Sequence, residues 1–421
     1  MLKISILPLS LMLVFFELTL FFLNVIPTLL YPIGIIFINF YIALKYREYF
    51  YFSLVFFLML WVNYSVLALH LGLIQDSYDG LYSSLNNTDI SLTGLRVLFY
   101  FMLTTLVFSE AIKVRKSSVD WWPKFNSSTD IISALFIFLF AMISADYLLK
   151  FDVISKSIYE YSIIFLIFSI VMTRNRNQIL QKVIIIIGLA AVIGNVLSGD
   201  RIVGLQFAIV LYLTYFKAKL STKYIIPVGL AGVVFLSYTG ANRAGFSVTD
   251  IAGIIDSSSV LFDRMMTLDT SFSAFFTSLR SIEFMQELDF RDRFVFFSHF
   301  VGSLVAGGLY PYEESNLATY THSLGFTHSF GTFLPLLSYF YFGYVGVVVT
   351  AYLLVRFIKR RIAVNHLGSE VVVVYFCATF FRWYLYSPVM LLRGLFFIFI
   401  IYLIMKAFAG SKTGYVHAEI R

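Results

Sequence analysis

The sequence predicts an all-α polytopic integral membrane protein, and three observations support this fold class. Hydrophobic residues fill 59% of the 421 positions and charged residues only 13%, whereas a soluble domain carries about 25% charged residues. Apolar runs of roughly twenty residues, the length that crosses the core of a bilayer, recur along the chain. Cationic residues concentrate in every second connection between these runs. We therefore expect a single membrane domain over 1–421.

The apolar runs predict about twelve transmembrane helices in chain order. They cover 5–24, 26–44, 51–71, 93–111, 131–149, 160–173, 180–198, 202–216, 224–239, 331–355, 370–387 and 388–408. The first run follows a basic start, but it is long and has no small-residue cleavage site, so it is predicted to be retained as a span. The single cysteine, Cys377, lies in an apolar run and excludes a disulfide within the chain.

The connections determine the orientation, because short cytoplasmic loops are rich in lysine and arginine. If the N-terminus is cytoplasmic, the cationic connections all fall on the same side of the membrane. They begin at Lys45, Lys113, Arg174, Lys217 and Arg356. The opposite orientation breaks the rule at nearly every turn. Both termini are therefore predicted to be cytoplasmic.

The segment 240–330, between the ninth and tenth predicted spans, is the one long stretch that is not a simple apolar run. The orientation makes it a large extracytoplasmic loop, and loops of this length are usually functional. It contains arginines, histidines and acidic residues but no lysine. Its apolar stretch 294–309 predicts an interfacial or re-entrant helix.

Arginine dominates the predicted outer side. Nine arginines and two lysines fall there, against eight arginines and twelve lysines inside. The planar guanidinium binds phosphate and carboxylate bidentately and keeps its proton. Pairing with acids of the loop accounts for Arg264, Arg291 and Arg293. Four others lie at the outer ends of helices, where ionisable residues are rare and mark functional pathways. These four are Arg201, Arg243, Arg382 and Arg393.

Three stretches within 190–360 combine small residues, arginine and aromatic residues beside the predicted outer surface. They are the turn Ser198–Arg201, the helix end Tyr238–Arg243, and 321–346, a serine and small-residue stretch followed by an aromatic helix. With the helix count and the chain length, they resemble the O-antigen polymerase family (Wzy type) of bacterial oligosaccharide repeat-unit polymerases. His328, within the small-residue stretch, departs from the pattern of that family.

The resemblance implies an activity and its partners. Such polymerases have a glycosyltransferase-C-like architecture and take undecaprenyl-pyrophosphate-linked oligosaccharide at the outer face of the bacterial cytoplasmic (inner) membrane. They join the repeat units into O-antigen, capsular or exopolysaccharide, with the lipid pyrophosphate as leaving group. No cofactor, metal or nucleic acid is expected. A flippase and a chain-length regulator of the same pathway are candidate partners.

The resemblance also suggests roles for individual residues. Arginines that bind the pyrophosphate and the glycan stabilise the charge that develops on the leaving group. The residues predicted for this role are Arg201, Arg243, Arg280, Arg382 and Arg393. His322, His328 or Glu313 is expected to orient or deprotonate the acceptor hydroxyl, and histidine suits a general base because its pKa lies near neutrality. The alternative for each is an ordinary loop residue that bonds to the backbone.

Two rival functions stay open. An O-antigen ligase uses the same donor and a similar architecture but moves the finished glycan to the lipid A core. A lipid-linked oligosaccharide flippase or another transporter also has about twelve helices, but matched halves with short outer loops are expected there. The single long segment 240–330 breaks that symmetry.

Overall fold

A computed structural model gives the fold, and it describes most of the predicted membrane helices. The described residues are 27–71, 88–113, 128–149, 151, 156–174, 177–198, 200–217, 270–306, 310–323, 331–362 and 367–409. The predicted spans 5–24 and 224–239 lie outside these ranges, as do the predicted site residues Arg243 and His328. Every regular element in the described ranges is helical.

Fifteen α-helices are described. They are α1 Leu30–Lys45, α2 Phe50–His70, α3 Thr88–Ala111, α4 Ser128–Leu149, α5 Lys156–Tyr161, α6 Ile163–Thr173, α7 Gln178–Leu197, α8 Arg201–Leu211, α9 Thr270–Met285, α10 Phe290–Ala306, α11 Leu317–Ser323, α12 Leu334–Ile362, α13 Leu367–Ala378, α14 Phe380–Leu385 and α15 Val389–Ala409. A π-helical turn, Tyr212–Phe216, extends α8, and a 3-10 turn, Glu313–Ser315, precedes α11.

The all-α class predicted from the sequence is confirmed for the described residues, and the predicted runs there all contain helices. Four stretches are long and apolar enough to cross a membrane. They are Asp89–Ala111, Ile131–Leu149, Gln178–Leu197 and Leu334–Arg361. The other apolar helices in the described ranges are shorter. The total of about twelve spans stays a prediction.

Three of the predicted runs are interrupted. The run 160–173 is divided at Ser162, and the run 370–387 is divided at Thr379. In α12 the backbone leaves helical geometry at Phe342 and Gly343, where Gly343 has a φ of 59°. That conformation carries no steric penalty in glycine because there is no Cβ atom. The helix therefore changes course two turns after it begins.

The helices form one bundle in which α12 packs along α3. On one side, α1 packs on both α2 and α3, and on the other α4, α6, α7 and α8 pack together. Helix α13 contacts α2, α6, α8 and α12, so it joins the two groups. Apolar side chains from both groups form a continuous buried core.

Helix α9 belongs to this core although it lies in the segment 240–330. It packs against α2, α3 and α12, and Phe275 and Leu279 are fully buried. A side chain at Gly94 of α3 would collide with the tip of Leu279, so the glycine permits the close approach of the two helices. The hydroxyl of Ser278 also accepts a hydrogen bond from the backbone N–H of Phe333, at 2.8 Å.

The cationic connections meet at one end of the bundle. Lys45 pairs with Glu110 at 2.6 Å, which joins the ends of α1 and α3. The ammonium of Lys359, near the end of α12, donates to the carbonyl oxygen of Ile112 at 2.8 Å. Arg174 pairs with Glu370 at 2.8 Å, which joins α6 to α13. These contacts place the connections predicted to be cytoplasmic on one side of the fold.

Candidate arginine site

The opposite end of the bundle contains a buried ion pair between distant parts of the chain. Arg382 of α14 donates through Nη2 to the carboxylate of Glu160 in α5. The two side chains are only 15% and 16% exposed. The guanidinium also lies 5.2 Å from the ring centroid of Tyr386. The carboxylate and the ring together fix the position of the guanidinium.

A second arginine contacts the same short helix. Arg393, in the second turn of α15, donates through Nη2 to the carbonyl oxygen of Ser303 in α10, and its guanidinium lies beside the hydroxyl of Tyr161. Among the described residues, no carboxylate lies within ion-pair distance of Arg393. Glu160 and Tyr161 are consecutive residues, so one short helix, α5, contacts both guanidinium groups.

The local fold explains why the two arginines come together. Helix α14 ends at Leu385 and α15 begins at Val389, so the chain reverses within a few residues. The Ser387 hydroxyl accepts from the Val389 N–H at 3.3 Å in this turn. The Tyr375 hydroxyl of α13 donates to the carbonyl oxygen of Met390 at 2.9 Å and holds the start of α15.

The turn Ser198–Arg201 is connected to α5 through Tyr147. Asp200 accepts a hydrogen bond from the hydroxyl of Tyr147, at the end of α4. The Tyr147 ring stacks on Tyr159 with 4.0 Å between centroids, and Tyr159 directly precedes Glu160 in the chain. Arg201 is the first residue of α8, and its side chain lies outside the described part of the structure. Tyr147 thus links the turn before Arg201 to the helix that contacts Arg382.

Four arginines share one unusual feature. Each has a buried Nε atom for which the described residues provide no hydrogen-bond partner. They are Arg96, Arg280, Arg382 and Arg393. All four belong to the predicted outer side, and no described arginine of the predicted inner side has this feature. Buried donors are almost always paired in proteins, so a group of unpaired ones requires an explanation such as a bound anion.

The helices that carry these arginines are contiguous. Helix α9, with Arg280, packs on α3, which carries Arg96, and on α14, which carries Arg382. Helix α14 in turn contacts α15. Arg280 also pairs with Glu283 one turn later, so part of its charge is neutralised within α9. Arg382 and Arg393 are the two that contact a common helix, α5.

The described acid–base candidates lie in the elements that pack against α9 and α10. Glu313 is exposed in the 3-10 turn, and His322 is half-buried near the end of α11. The turn packs on α10 and α11, and α11 packs on α9, so Glu313 and His322 occupy adjoining elements. His328 lies outside the described residues. The structure therefore groups two of the three candidates in adjoining elements.

Another histidine in these elements, His299, contacts aromatic residues. His299 of α10 bonds through Nδ1 to the hydroxyl of Tyr310 at 2.9 Å, and its ring packs on Tyr312 with 4.5 Å between centroids. Within the described ranges, no group of three or more potential metal ligands is found. The arginines are thus the main cationic groups at this end of the described structure.

Sequence reasoning identified the arginines but not their partners. Glu160, Tyr161 and Ser303 were not singled out, because each lies far along the chain from the arginine that it holds. An acid at the head of an apolar run, as in Tyr159-Glu160-Tyr161, is a signal that could have drawn attention to Glu160.

No protein family, curated protein or solved structure matches this chain.

Proposed function

We propose that this protein polymerises undecaprenyl-pyrophosphate-linked oligosaccharide repeat units at the outer face of the bacterial cytoplasmic membrane. In this proposal it is a multi-pass glycosyltransferase of about twelve helices, with both termini in the cytoplasm and 240–330 outside. Its product is O-antigen, capsular or exopolysaccharide. The observation that carries the proposal is the set of outer arginines whose buried Nε groups have no partner among the described residues, which suits a multiply charged anion.

The leaving group determines what the site has to do. Charge grows on the lipid pyrophosphate as the glycosidic bond breaks. Donors that are already in position stabilise this charge more in the transition state than in the ground state. Arg393 fits this role because no described carboxylate neutralises it, and Arg382 is proposed to act with it because both arginines contact α5. Arg201 and Arg243 are proposed to complete the pyrophosphate site, with Arg280 on the side of the glycan.

The acceptor hydroxyl requires a group that orients it or removes its proton. His322, His328 and Glu313 are the candidates, and histidine is favoured because it titrates near neutrality. His322 and Glu313 lie in elements that adjoin α9 and α10, which carry Arg280 and the Ser303 carbonyl. The acceptor is therefore proposed to enter from the side of α11 while the donor lipid is held at α14 and α15.

The proposal is tested with purified protein in liposomes that contain the lipid-linked repeat unit of the host strain. The wild-type protein should produce a ladder of glycans that differ by one unit. Arg393→Lys should keep the positive charge but lose the bidentate hydrogen bonding of the guanidinium. We expect the rate of polymerisation to fall by roughly two to three decades, the cost of losing one preorganised donor. Arg201→Ala and Arg243→Ala should each abolish the polymer while the protein stays in the membrane.

A matched control exists at the other end of the bundle. Arg174 also pairs with a glutamate, Glu370, and Arg174→Lys should leave the ladder unchanged. Transfer of a single finished glycan to the lipid A core, with no ladder, would support the ligase. Movement of the intact donor across the bilayer without any new glycosidic bond would support a flippase. A full ladder from Arg393→Lys would show that this arginine supplies only a generic charge.

A further inference from the structure

The pair of Glu160 and Arg382 differs from the other ion pairs of the described residues. Its two side chains are less exposed than those of Arg174 and Glu370, which are 33% and 25% exposed. A buried charge that loses its partner is strongly destabilised, so Arg382 needs a permanent counter-charge when no ligand is present. Glu160 provides that counter-charge within the proposed binding site rather than at its edge.

Glu160 does not use all the donors of Arg382. A guanidinium carries five N–H groups in a fixed plane. The carboxylate of Glu160 accepts a hydrogen bond from Nη2 of Arg382, and the Tyr386 ring covers one face of the guanidinium. The Nε atom is buried and has no partner among the described residues. An anion that binds this arginine must therefore share the guanidinium with a carboxylate that is already present. The two negative groups then repel each other across one cation.

The neighbouring residue links this effect to the second arginine. Tyr161 lies beside the guanidinium of Arg393, and the helix α5 that carries both Glu160 and Tyr161 is only six residues long. A change that displaces Glu160 also displaces the partner of Arg393. Retaining the geometry while removing only the charge is therefore the informative perturbation.

We infer that Glu160 is a positioning residue that holds Arg382 in place and weakens the binding of the pyrophosphate, so that the lipid pyrophosphate product can leave. This inference rests on the proposed function. Two arginines without a counter-charge would hold a pyrophosphate tightly, and the site would stay occupied after each transfer. A carboxylate in contact with one arginine lowers the affinity for donor and product alike, which sustains turnover.

The test uses purified full-length protein in detergent, with inorganic pyrophosphate as the probe. Glu160→Gln keeps the shape and an acceptor oxygen but removes the charge. We expect it to bind pyrophosphate about 10- to 100-fold more tightly, the range that one nearby unit charge produces at a half-buried site. Glu160→Asp keeps the charge, and its affinity should stay close to that of the wild type. Glu370→Gln at the opposite end is the matched control and should change nothing.

Kinetics in liposomes provide the second readout. For Glu160→Gln, both KM and kcat should fall, because the donor binds more tightly and the product leaves more slowly. A purely structural role predicts instead a lower melting temperature in Glu160→Gln, with pyrophosphate affinity unchanged. That result, or unchanged affinity in a well-folded variant, overturns the inference even if the wild type polymerises. If no variant polymerises but Glu160→Gln still binds pyrophosphate more tightly, the proposed function fails and the role of Glu160 stands.

Discussion

Gly331 offers a sharp test of how closely the arginine site depends on packing. An added Cβ atom at this position would lie 2.8 Å from the carbonyl oxygen of Leu385 and 3.0 Å from the Cβ of Ala274. Ordinary contacts begin at 3.4 Å. The backbone at Leu385 would thus have to move by about 0.6 Å, the difference between 2.8 and 3.4 Å. That backbone directly precedes Tyr386, whose ring lies beside Arg382.

Gly331→Ala should therefore affect both stability and activity. Overpacking a well-packed site costs typically 1–3 kcal/mol. A misplacement of about 1 Å can cost roughly two decades of rate, so we expect about a tenfold loss from the smaller shift. The assays are the melting temperature of the purified protein and the length of the glycan ladder.

Gly188→Ala is the matched control for this substitution. The nominal overlap is similar, since the added Cβ would lie 2.9 Å from Leu211 Cδ2. In this case the neighbour is the tip of a flexible side chain, which can rotate away. Alanine also favours a helix over glycine by up to about 1 kcal/mol. If Gly188→Ala melts lower than Gly331→Ala, or if both leave the ladder intact, the link between α14 packing and the arginine site is refuted.

Three further predictions address other parts of the molecule. A reporter fused after Lys223 should give a cytoplasmic signal and one fused near Asp269 an extracytoplasmic signal, because the cationic connections set the orientation. A cytoplasmic signal from Asp269 would put the segment 240–330 on the side of the membrane opposite to the donor. His322→Ala or His328→Ala should bind the donor without extending it, and the pH profile of single-turnover extension should change with the histidine that acts as the base. Wild-type rates and an unchanged profile in both variants would transfer the role to a carboxylate. The amide of Gln206 is fully buried and has no partner among the described residues. Gln206→Leu should therefore raise the free energy of unfolding by about 1–3 kcal/mol, the cost of burying an unsatisfied polar group. A lower melting temperature for that variant would show that the amide binds water or a ligand.

Hydropathy predicted the apolar helices well but missed α9, for a physical reason. This helix is rich in serine and threonine, so its sequence is typical of a loop beside a membrane. Its hydroxyls bond to the helix itself: Ser278 donates to the carbonyl oxygen of Ala274 at 2.7 Å, and Ser281 to that of Thr277 at 2.9 Å. A hydroxyl satisfied in this way can be buried at little cost. Hydropathy scales count the hydroxyl as polar and do not include the bond that it makes locally.

For the candidate site, the sequence predicted the arginines but not the residues that they contact. The excess of arginine over lysine predicted the side of the protein on which the proposed anion site lies, and this excess is a property of composition. The partners of these arginines depend on the three-dimensional fold. Glu160 lies 222 residues from Arg382, and no local spacing connects them. The break at Thr379 that separates α13 from α14 is likewise a feature of packing and not of the apolar run.

The burial of Cys377 makes the wild-type chain its own reporter of unfolding. This residue is the only thiol in the chain, and it lies fully buried in α13, the helix that joins the two halves of the bundle. A thiol-reactive dye can reach it only when that junction opens, so the rate of labelling measures the free energy of opening. No cysteine has to be introduced or removed. A slow, fully cooperative labelling transition on heating would show that the two groups of helices open together, whereas labelling well below the melting temperature would show that their junction opens first.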